Sequence, residues 1–317
     1  MRGGPQTVAE PTGIRAAEIP APRLTGVGLL TGEPDRVTGP TGLVPAPTPA
    51  VDGDRFRRAT RECLLAMTAA RAAVGDAGLD ARDVGGERTG VVYVTACAYA
   101  GANRAFLEDE RSTTLHFPYT SPSAVSAEVT IELGIRGPYV TLAGGGTTTL
   151  GAVWYAAGWL ADGLADRVLV LAVETMAEVR DLFVRARRLY RPPLVEGAAC
   201  LVLEPGAGWW IRWASAVARA SRASVAVAGV LDAVLREARP AVVAPGAGAG
   251  PLARAEARVL AARGVDHTCM PEARAGEGLA CGPLVSLARA RASGAAGPCL
   301  VTAAWRGEYA ALLWPFS

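Results

Sequence analysis

The chain has 317 residues, half of them apolar, and a formal net charge of +2 at neutral pH. A chain of this length and composition buries a sizeable core, either as one large domain or as two similar halves. The near-neutral charge excludes the electrostatic signature of a nucleic-acid or anionic-membrane protein. All 32 basic residues are arginine, which excludes chemistry that depends on a lysine amine, such as Schiff-base formation.

The numbers and positions of the cysteines and histidines argue against a disulfide-rich or metal-binding protein. The six cysteines are scattered, mostly inside apolar runs, without a Cys-x-x-Cys pair, which is typical of reduced, buried thiols in a cytosolic protein. With only two histidines, we expect no metal site, and we expect no cofactor. The N-terminal residues contain neither an apolar run long enough to span a membrane nor a signal-peptide core, so we expect a cytoplasmic location.

The first third of the chain contains a disordered-type segment, two strands and a helix. Residues 1–22 are rich in Pro and Gly, which predicts a poorly ordered N-terminus. Leu24–Thr31 is typical of a strand, and a loop rich in Pro, Gly and Thr follows it. From Phe56 to Ala77, apolar residues recur at three- and four-residue steps, which predicts a helix that Gly78 ends. Thr89–Val94 is typical of a buried strand.

The stretch Gly137–Leu150 combines a strand, three glycines and a helix. Tyr139–Leu142 is rich in β-branched and aromatic residues and predicts a buried strand, and Thr147 is expected to cap the apolar helix after the glycines. A helix near Ser123–Leu133 is expected to lead into this stretch. A tight turn between a strand and a helix presents one residue at the end of a sheet, where the helix N-terminus favours negative charge.

The remaining residues alternate between strand and helix patterns. Arg167–Val173 and Glu196–Glu204 predict strands, and a tryptophan-rich strand follows from Gly206. A helix is expected near Val225–Ala238 and a strand at Ala241–Ala244, before a glycine turn and another helix. Alternating strands and helices in two similar halves indicate a layered α/β fold.

Gly137–Leu150 resembles the nucleophile region of the β-ketoacyl synthases, which belong to the thiolase superfamily. In that family Gly-Pro opens the strand and Thr-Ala-Cys-Ser-Ser-Ser-Leu closes it, with the cysteine as the acyl-accepting nucleophile. Here Gly144–Gly146 stands in place of Thr-Ala-Cys, and Thr147–Leu150 in place of Ser-Ser-Ser-Leu. The resemblance implies that Gly146 occupies the nucleophile position.

The family's two catalytic histidines are also replaced. The first lies in His-Gly-Thr-Gly-Thr, which matches Pro245–Ala249, so Pro245 stands in its place. The second lies in Lys-Ser-x-x-Gly-His, which matches Glu272–Glu277, so Glu277 stands in its place. Gly146 has no nucleophile, and Pro245 has neither a donor side chain nor a backbone N–H to stabilise an enolate. The resemblance therefore implies that this chain does not catalyse the family reaction by itself.

A chain that keeps the surrounding family motifs but lacks all three catalytic side chains resembles one branch of the family, the chain-length factors. These ketosynthase β subunits of type II polyketide synthases lack the active cysteine, often carry Gln in its place, and often read Gly-Gly-Pro-Leu near the second histidine position. This chain has Gly282–Leu284 after Glu277. The resemblance covers residues 24–317 and implies a thiolase-like five-layer αβαβα fold, with an N-terminal half at 23–206 and a C-terminal half at 207–317.

The resemblance further implies a heterodimer. An active ketosynthase α subunit would hold the growing acyl chain and take malonyl units from an acyl carrier protein, and polyene-forming systems are the better match within the branch. This chain would wall off the end of the partner's acyl tunnel. We expect that wall at the following residues: Phe117, Tyr119, Thr120, Ser123 and Ala124. Ordinary packing is the alternative role for the two aromatic side chains.

Two other functions stay open. The chain could be an acyltransferase or condensing enzyme with another nucleophile, for which Cys97, Cys200 and Cys281 are candidate thiols. Thr147 is a candidate hydroxyl, although no base lies near it in sequence and an N-cap role is its ordinary interpretation. The chain could also be a homodimeric pseudoenzyme that scaffolds or regulates. Reaction of a thiol with an acyl-thioester analogue would support the independent enzyme. A neighbouring gene for a complete Cys-His-His ketosynthase would count against the homodimeric pseudoenzyme.

Overall fold

The computed structural model describes residues 8–9, 13–32, 42–47, 49, 59–108, 114, 116–176, 179, 185, 193–206, 208–218, 222–246, 250–265, 276–294 and 297–316. The strands, in chain order, are β1 (Val8–Ala9), β2 (Ile14–Pro20), β3 (Arg23–Thr31), β4 (Leu43–Val44), β5 (Thr89–Thr95), β6 (Tyr139–Ala143), β7 (Arg167–Glu174), β8 (Leu194–Val195), β9 (Gly197–Glu204), β10 (Trp210–Val217), β11 (Val242–Ala244), β12 (Gly297–Trp305) and β13 (Glu308–Phe316). The helices are α1 (Arg61–Asp76), α2 (Ala81–Val84), α3 (Ala100–Glu108), α4 (Ser123–Glu132), α5 (Gly146–Ala161), α6 (Ala223–Leu235), α7 (Pro251–Ala262) and α8 (Cys281–Ala292). A short 3-10 helix, Phe117–Thr120, lies between α3 and α4.

These strands form two large sheets and one small one. The five-stranded sheet has the order β3–β9–β7–β5–β6, with parallel pairing among β7, β5 and β6 and antiparallel pairing of β9 with both neighbours. The six-stranded sheet has the order β1–β2–β10–β13–β12–β11, and its only parallel pair in the described part of the chain is β11 with β12. Strands β4 and β8 pair separately and in parallel.

The helices and the two large sheets form five layers. Helices α5 and α8 lie between the sheets, where α5 contacts β5 and β7 on one side and β12 and β13 on the other. Helices α1 and α4 cover the outer face of the five-stranded sheet, and α6 and α7 cover the outer face of the six-stranded sheet. The αβαβα fold expected from the sequence is confirmed.

Strand β7 shows why consecutive apolar residues occur in the central strands. Val168 and Val170 belong to the apolar core between the sheets, whereas Leu169 and Leu171 belong to the core beneath α1. Successive side chains of a strand point to opposite faces, and helices cover both faces of this sheet, so both sets of side chains are buried.

Residues 14–20 correct the expectation of a poorly ordered N-terminus. They form β2, which pairs antiparallel with β10 from Ile14 opposite Ala216 to Pro20 opposite Trp210. The partner strand lies far along the chain, so the local composition of the segment did not reveal it. The five-stranded sheet uses strands from β3 to β9 and the six-stranded sheet uses β1, β2 and β10–β13. The division into halves at residues 206 and 207 stays a prediction.

Strand β6 corrects a second expectation. It was predicted to be buried, yet it is the last strand of its sheet and its residues range from half-buried to exposed. The strands predicted near Thr89 and Arg167, and the helix predicted near Ser123, are confirmed. Among the described residues, no helix has the length and apolarity that crossing a membrane requires.

Candidate functional site

The three replaced family positions meet at one cavity. Gly146 reaches it from the start of α5, Pro245 from the end of β11, and Glu277 from the segment before α8. The cavity contains about 900 Å³ of empty space, including its open mouth. Residues that line it also come from β3, β9, α8 and β12, among them Thr31, Gly197, Cys281, Pro283, Arg289 and Ala303. Glu272, the other replaced position in the second motif, lies outside the described residues.

The turn before α5 differs in detail from the expected cap. Helix α5 begins at Gly146 with Gly145 as its N-cap, and no side chain caps it. Thr147 is therefore the second residue of the helix, and the prediction that it is the N-cap is wrong. The positive end of the helix dipole points to the position where the family has its nucleophilic cysteine.

Close packing explains why glycine occupies this turn. A Cβ added to Gly146 would lie 3.0 Å from Ala303 Cβ and 3.3 Å from Pro283 Cγ. A Cβ added to Gly145 would lie 2.4 Å from Cδ2 of the Trp305 ring. Pro283 belongs to the Gly-Pro-Leu segment in the first turn of α8. Both segments singled out in the sequence are therefore close together, and they leave little room for a Cβ at the nucleophile position.

Pro245 leaves the cavity without the donor that a histidine would supply there. The next backbone N–H, that of Gly246, donates to Thr302 Oγ1 at 2.9 Å. The Thr302 hydroxyl donates in turn to Glu256, which also accepts a hydrogen bond from the Tyr309 hydroxyl at 2.8 Å. This network is satisfied inside the protein, so neither Pro245 nor the N–H of Gly246 can stabilise a developing negative charge in the cavity.

Glu277 presents a carboxylate where the family has its second histidine. Its backbone N–H donates to Pro193 O at 2.7 Å, and its carbonyl accepts from the Val195 N–H at 2.9 Å. Its Oε1 atom accepts from the Leu279 N–H at 2.9 Å. The segment is held firmly beside β8, and an ionised carboxylate at this point would repel an enolate rather than stabilise it.

The comparisons with known proteins agree with this geometry. The family model for the β-ketoacyl synthase N-terminal domain matches residues 16–190, more than half of the chain. The chain belongs to the β-ketoacyl synthase family. The resemblance found in Gly137–Leu150 is thereby confirmed.

Relatives of this β-ketoacyl synthase family member include polyketide enzymes. It is 34% identical over 131 residues to the tetracenomycin polyketide synthase ketoacyl synthase alpha subunit of Streptomyces glaucescens, covering 38% of this chain and 30% of that protein. The match therefore spans less than a third of the length of that curated relative.

Two solved structures share the fold over almost the whole chain. The ishigamide ketosynthase/chain length factor has a TM-score of 0.73 at 21% identity, covering 94% of this chain and 100% of that one. A type II polyketide synthase acyl-carrier protein in complex with its ketosynthase bound to the hexaketide has a TM-score of 0.73 at 15% identity, covering 94% and 100%. These likenesses confirm the thiolase-like ketosynthase fold.

Glu174 is a buried acidic residue near the cavity that the sequence analysis did not single out. It is the last residue of β7, and its carboxylate accepts hydrogen bonds from the backbone N–H groups of Ala96 at 2.6 Å, Cys97 at 3.1 Å and Ala280 at 3.3 Å. Burial raises the pKa of this carboxyl to about 7, although these hydrogen bonds oppose the rise. A carboxylate at the end of a long apolar strand was the available signal, since acidic side chains are seldom fully buried unless they are paired.

The candidate thiols are poorly suited to nucleophilic catalysis. Burial raises the pKa values of Cys97, Cys200 and Cys281 far above the usual range, and the charge of Glu174 adds to the effect at Cys97 and Cys281. The Cys281 thiol faces the cavity region but donates to the Gly197 carbonyl at 3.3 Å. Since the thiolate is the reactive form, the raised pKa values disfavour nucleophilic attack by these side chains at neutral pH.

The structure does bring a carboxylate to Thr147. Its hydroxyl donates to Glu308 Oε2 at 2.9 Å, a contact between distant parts of the chain that no local pattern could reveal. The pair lies in a separate cleft beside Trp154 and Trp213, whose rings stack, and does not line the cavity. The hydrogen bond satisfies a buried hydroxyl, as buried polar groups require, and the pair lies apart from the three replaced family positions.

The expected tunnel-wall residues lie together on another part of the surface. Phe117 is 62% exposed, and its ring makes an edge contact with Phe106 at a centroid distance of 5.8 Å. Tyr119 donates to Glu128 Oε1 at 3.1 Å, and the Thr120 hydroxyl donates to the Phe117 carbonyl at 2.7 Å.

The two remaining wall candidates sit at the start of α4. Ser123 and Ala124 are partly buried there, and the Ala124 N–H donates to the Ser121 carbonyl at 3.1 Å. None of the five wall candidates lines the cavity around Gly146. Their role as a tunnel wall stays a prediction.

Proposed function

We propose that this chain is a non-catalytic subunit of the chain-length-factor type, which pairs with an active ketosynthase and shapes its acyl tunnel during polyketide elongation. One observation carries the proposal: the family's nucleophile position is glycine, and a Cβ there would lie only 3.0 Å from Ala303 and 3.3 Å from Pro283. The chain therefore keeps the ketosynthase fold but has no nucleophile at the position of the family's catalytic cysteine.

The residues of the site indicate which catalytic groups the partner subunit would have to supply. Acyl transfer needs a thiolate to accept the acyl chain, and decarboxylation of a malonyl unit needs hydrogen-bond donors for the enolate oxygen. Gly146, Pro245 and Glu277 supply neither, so the partner subunit would supply all three catalytic side chains. This chain would contribute shape: its surface would limit the volume available to the growing acyl chain.

An unpaired sheet edge supports the presence of a partner. Strand β6 ends the five-stranded sheet, and no described strand pairs with its outer edge. Large apolar side chains are exposed on β6 and on the neighbouring helices α4 and α5, namely Tyr139, Ile131 and Tyr155. An open edge surrounded by apolar side chains is typical of a surface that another chain covers.

The relatives support the choice of partners. One solved structure with this fold is a ketosynthase/chain length factor, and another is an acyl-carrier protein in complex with its ketosynthase. By analogy, we propose an active ketosynthase as the direct partner and an acyl carrier protein as the source of malonyl units.

Co-expression with a ketosynthase that retains Cys, His and His tests the proposal. We expect a 1:1 complex by size-exclusion chromatography and native mass spectrometry, with elongation of malonyl units by the complex and none by either chain alone. Replacing the partner's nucleophilic cysteine with alanine should abolish elongation but leave the complex intact.

Two outcomes would overturn the proposal. A homodimer of this chain that elongates acyl thioesters unaided would make it an enzyme with an unrecognised nucleophile. A stable homodimer that neither turns over substrate nor binds the ketosynthase would favour the scaffold function instead. To distinguish them, the purified chain is incubated with malonyl and acyl thioesters before and after addition of the ketosynthase.

A further inference from the structure

A cluster of arginines lies on the outer helical layer, away from the cavity. Arg222, Arg254 and Arg258 line a cleft between the N-terminal parts of α6 and α7, together with Ser224 and Pro251. All three arginines are exposed. None of these residues lines the cavity around Gly146.

The three guanidinium groups have no acidic partner in the part of the chain that the structure describes. Among the described residues, no carboxylate lies within 4.0 Å of any of them, and Arg258 contacts only Ser224 Oγ at 3.4 Å and the Arg254 carbonyl at 3.2 Å. Further along the same helix pair, Arg263 on α7 forms an ion pair with Asp232 on α6. Arg263 is therefore neutralised at the far end of the helix pair, whereas no described carboxylate compensates the three arginines at the cleft.

The direction of the two helices adds to this positive charge. Arg258 on α7 contacts Ser224 on α6, and further along both helices Arg263 contacts Asp232. Residue numbers therefore increase in the same direction along the two helices, which run parallel. Their N-termini consequently face the same end, where the positive ends of two helix dipoles add. The N-cap residues, Arg222 and Gly250, contribute no side-chain hydrogen bond to the free N–H groups of either helix.

We propose that this cleft binds a phosphate group carried by a small ligand. A guanidinium group matches the oxygen geometry of phosphate with two parallel hydrogen bonds, and free N–H groups at a helix start are additional donors. A phosphate dianion offsets more of the three positive charges than a single carboxylate does. The Ser224 hydroxyl provides one more donor at the wall of the cleft.

The test is calorimetric titration of the full chain with inorganic phosphate, coenzyme A and dephospho-coenzyme A. The critical variant is Arg254→Ser with Arg258→Ser. The matched control is Arg82→Ser with Arg136→Ser, which removes two exposed arginines that form no ion pair with any described residue and lie elsewhere on the surface. Thermal unfolding of each variant establishes that it folds, and all four positions are exposed.

We expect saturable binding of inorganic phosphate that the cleft variant weakens about tenfold or more, since each lost charge-assisted hydrogen bond costs about that factor. The control variant should change the affinity by less than about twofold. Tighter binding of coenzyme A than of both phosphate and dephospho-coenzyme A would identify a phosphomonoester on the ribose of a nucleotide as the ligand group. Equal binding of coenzyme A and inorganic phosphate would identify the phosphate group alone. Absence of saturable binding by every probe, or equal loss in both double variants, would overturn the proposal.

Discussion

Ala303 covers Gly146 so closely that a Cβ placed on Gly146 would lie 3.0 Å from the Cβ of Ala303. Contacts this short are rarely tolerated between Cβ atoms in a packed interior. The first turn of α8 closes the other side, where Pro283 Cγ would lie 3.3 Å away. The surroundings therefore crowd any side chain at the nucleophile position, in addition to the loss of the cysteine.

Replacing Gly146 with Cys should not restore catalysis. The added side chain must displace Ala303 or Pro283, and overfilling a packed interior lowers the free energy of unfolding by about 1–3 kcal/mol. Urea denaturation measures the loss, and a radiolabelled acyl thioester detects any acyl-enzyme. As a control, Gly146→Ala should cost less when Ala303→Gly is also present, because the opposing Cβ is then absent. A Gly146→Cys variant that is fully stable and becomes acylated would contradict this account.

Glu174 should make the stability of the protein depend on pH. Burial raises the pKa of its carboxyl to about 7, above the ordinary value of 4.5 that it regains on unfolding. Between these values the folded state holds a proton that the unfolded state releases, so stability falls as the pH rises from 4.5 to 7. The total loss is about 3 kcal/mol. Stability measured from pH 4.5 to 8 should show this fall, and Glu174→Gln should remove most of it. An unchanged slope in Glu174→Gln would assign the titration to another group.

Cys97 should resist alkylation in the folded protein. Its thiol donates to Glu174 at 3.1 Å, and burial followed by the charge of Glu174 raises the thiol pKa far above its usual range. Iodoacetamide at pH 8 should label it only after denaturation, as peptide mass spectrometry can establish. The denatured protein is the control for reactivity. If iodoacetamide labels Cys97 rapidly in the folded chain, and an acyl-thioester analogue also labels Cys97, the alternative of an independent enzyme is supported.

Tyr139→Asp should weaken the complex with the ketosynthase. Tyr139 is 60% exposed at the start of the open-edge strand β6, and a charge there would oppose burial against a partner. Val225, which is 68% exposed on the outer helix α6, provides the matched control as Val225→Asp. Analytical ultracentrifugation of each variant with the partner compares the dissociation constants. Equal affinities for the two variants would show that the β6 edge is not the interface.

Phe117→Ala should lengthen the products of the complex. If Phe117 belongs to the tunnel wall, removal of its ring leaves volume into which a longer acyl chain extends. The control is Leu107→Ala, which removes an exposed apolar side chain from the nearby helix α3. Mass spectrometry of released products compares chain lengths. An unchanged product distribution in Phe117→Ala, with normal turnover, would limit Phe117 to a packing role against Phe106.

Local sequence patterns located many of the elements correctly. The apolar run after Arg167 and the helical pattern before Gly78 depend on neighbouring residues in the chain. The strand formed as expected, and the helix formed over Arg61–Asp76 rather than from Phe56. The resemblance brought Gly146, Pro245 and Glu277 to attention, and the structure places all three around one cavity. The sequence did not predict strand β2, because its pairing with β10 joins segments that are far apart along the chain.

The sequence by itself determined the family, the layered α/β plan and the absence of the nucleophile at position 146, since these depend on residue identities and local periodicity. Only the tertiary structure decided how that position is crowded, because Ala303 and Pro283 reach Gly146 from β12 and α8. It also decided that Glu174 is buried among backbone donors, that Thr147 meets Glu308, and that three arginines share one cleft. Such contacts join residues distant in the chain, and packing alone brings them together.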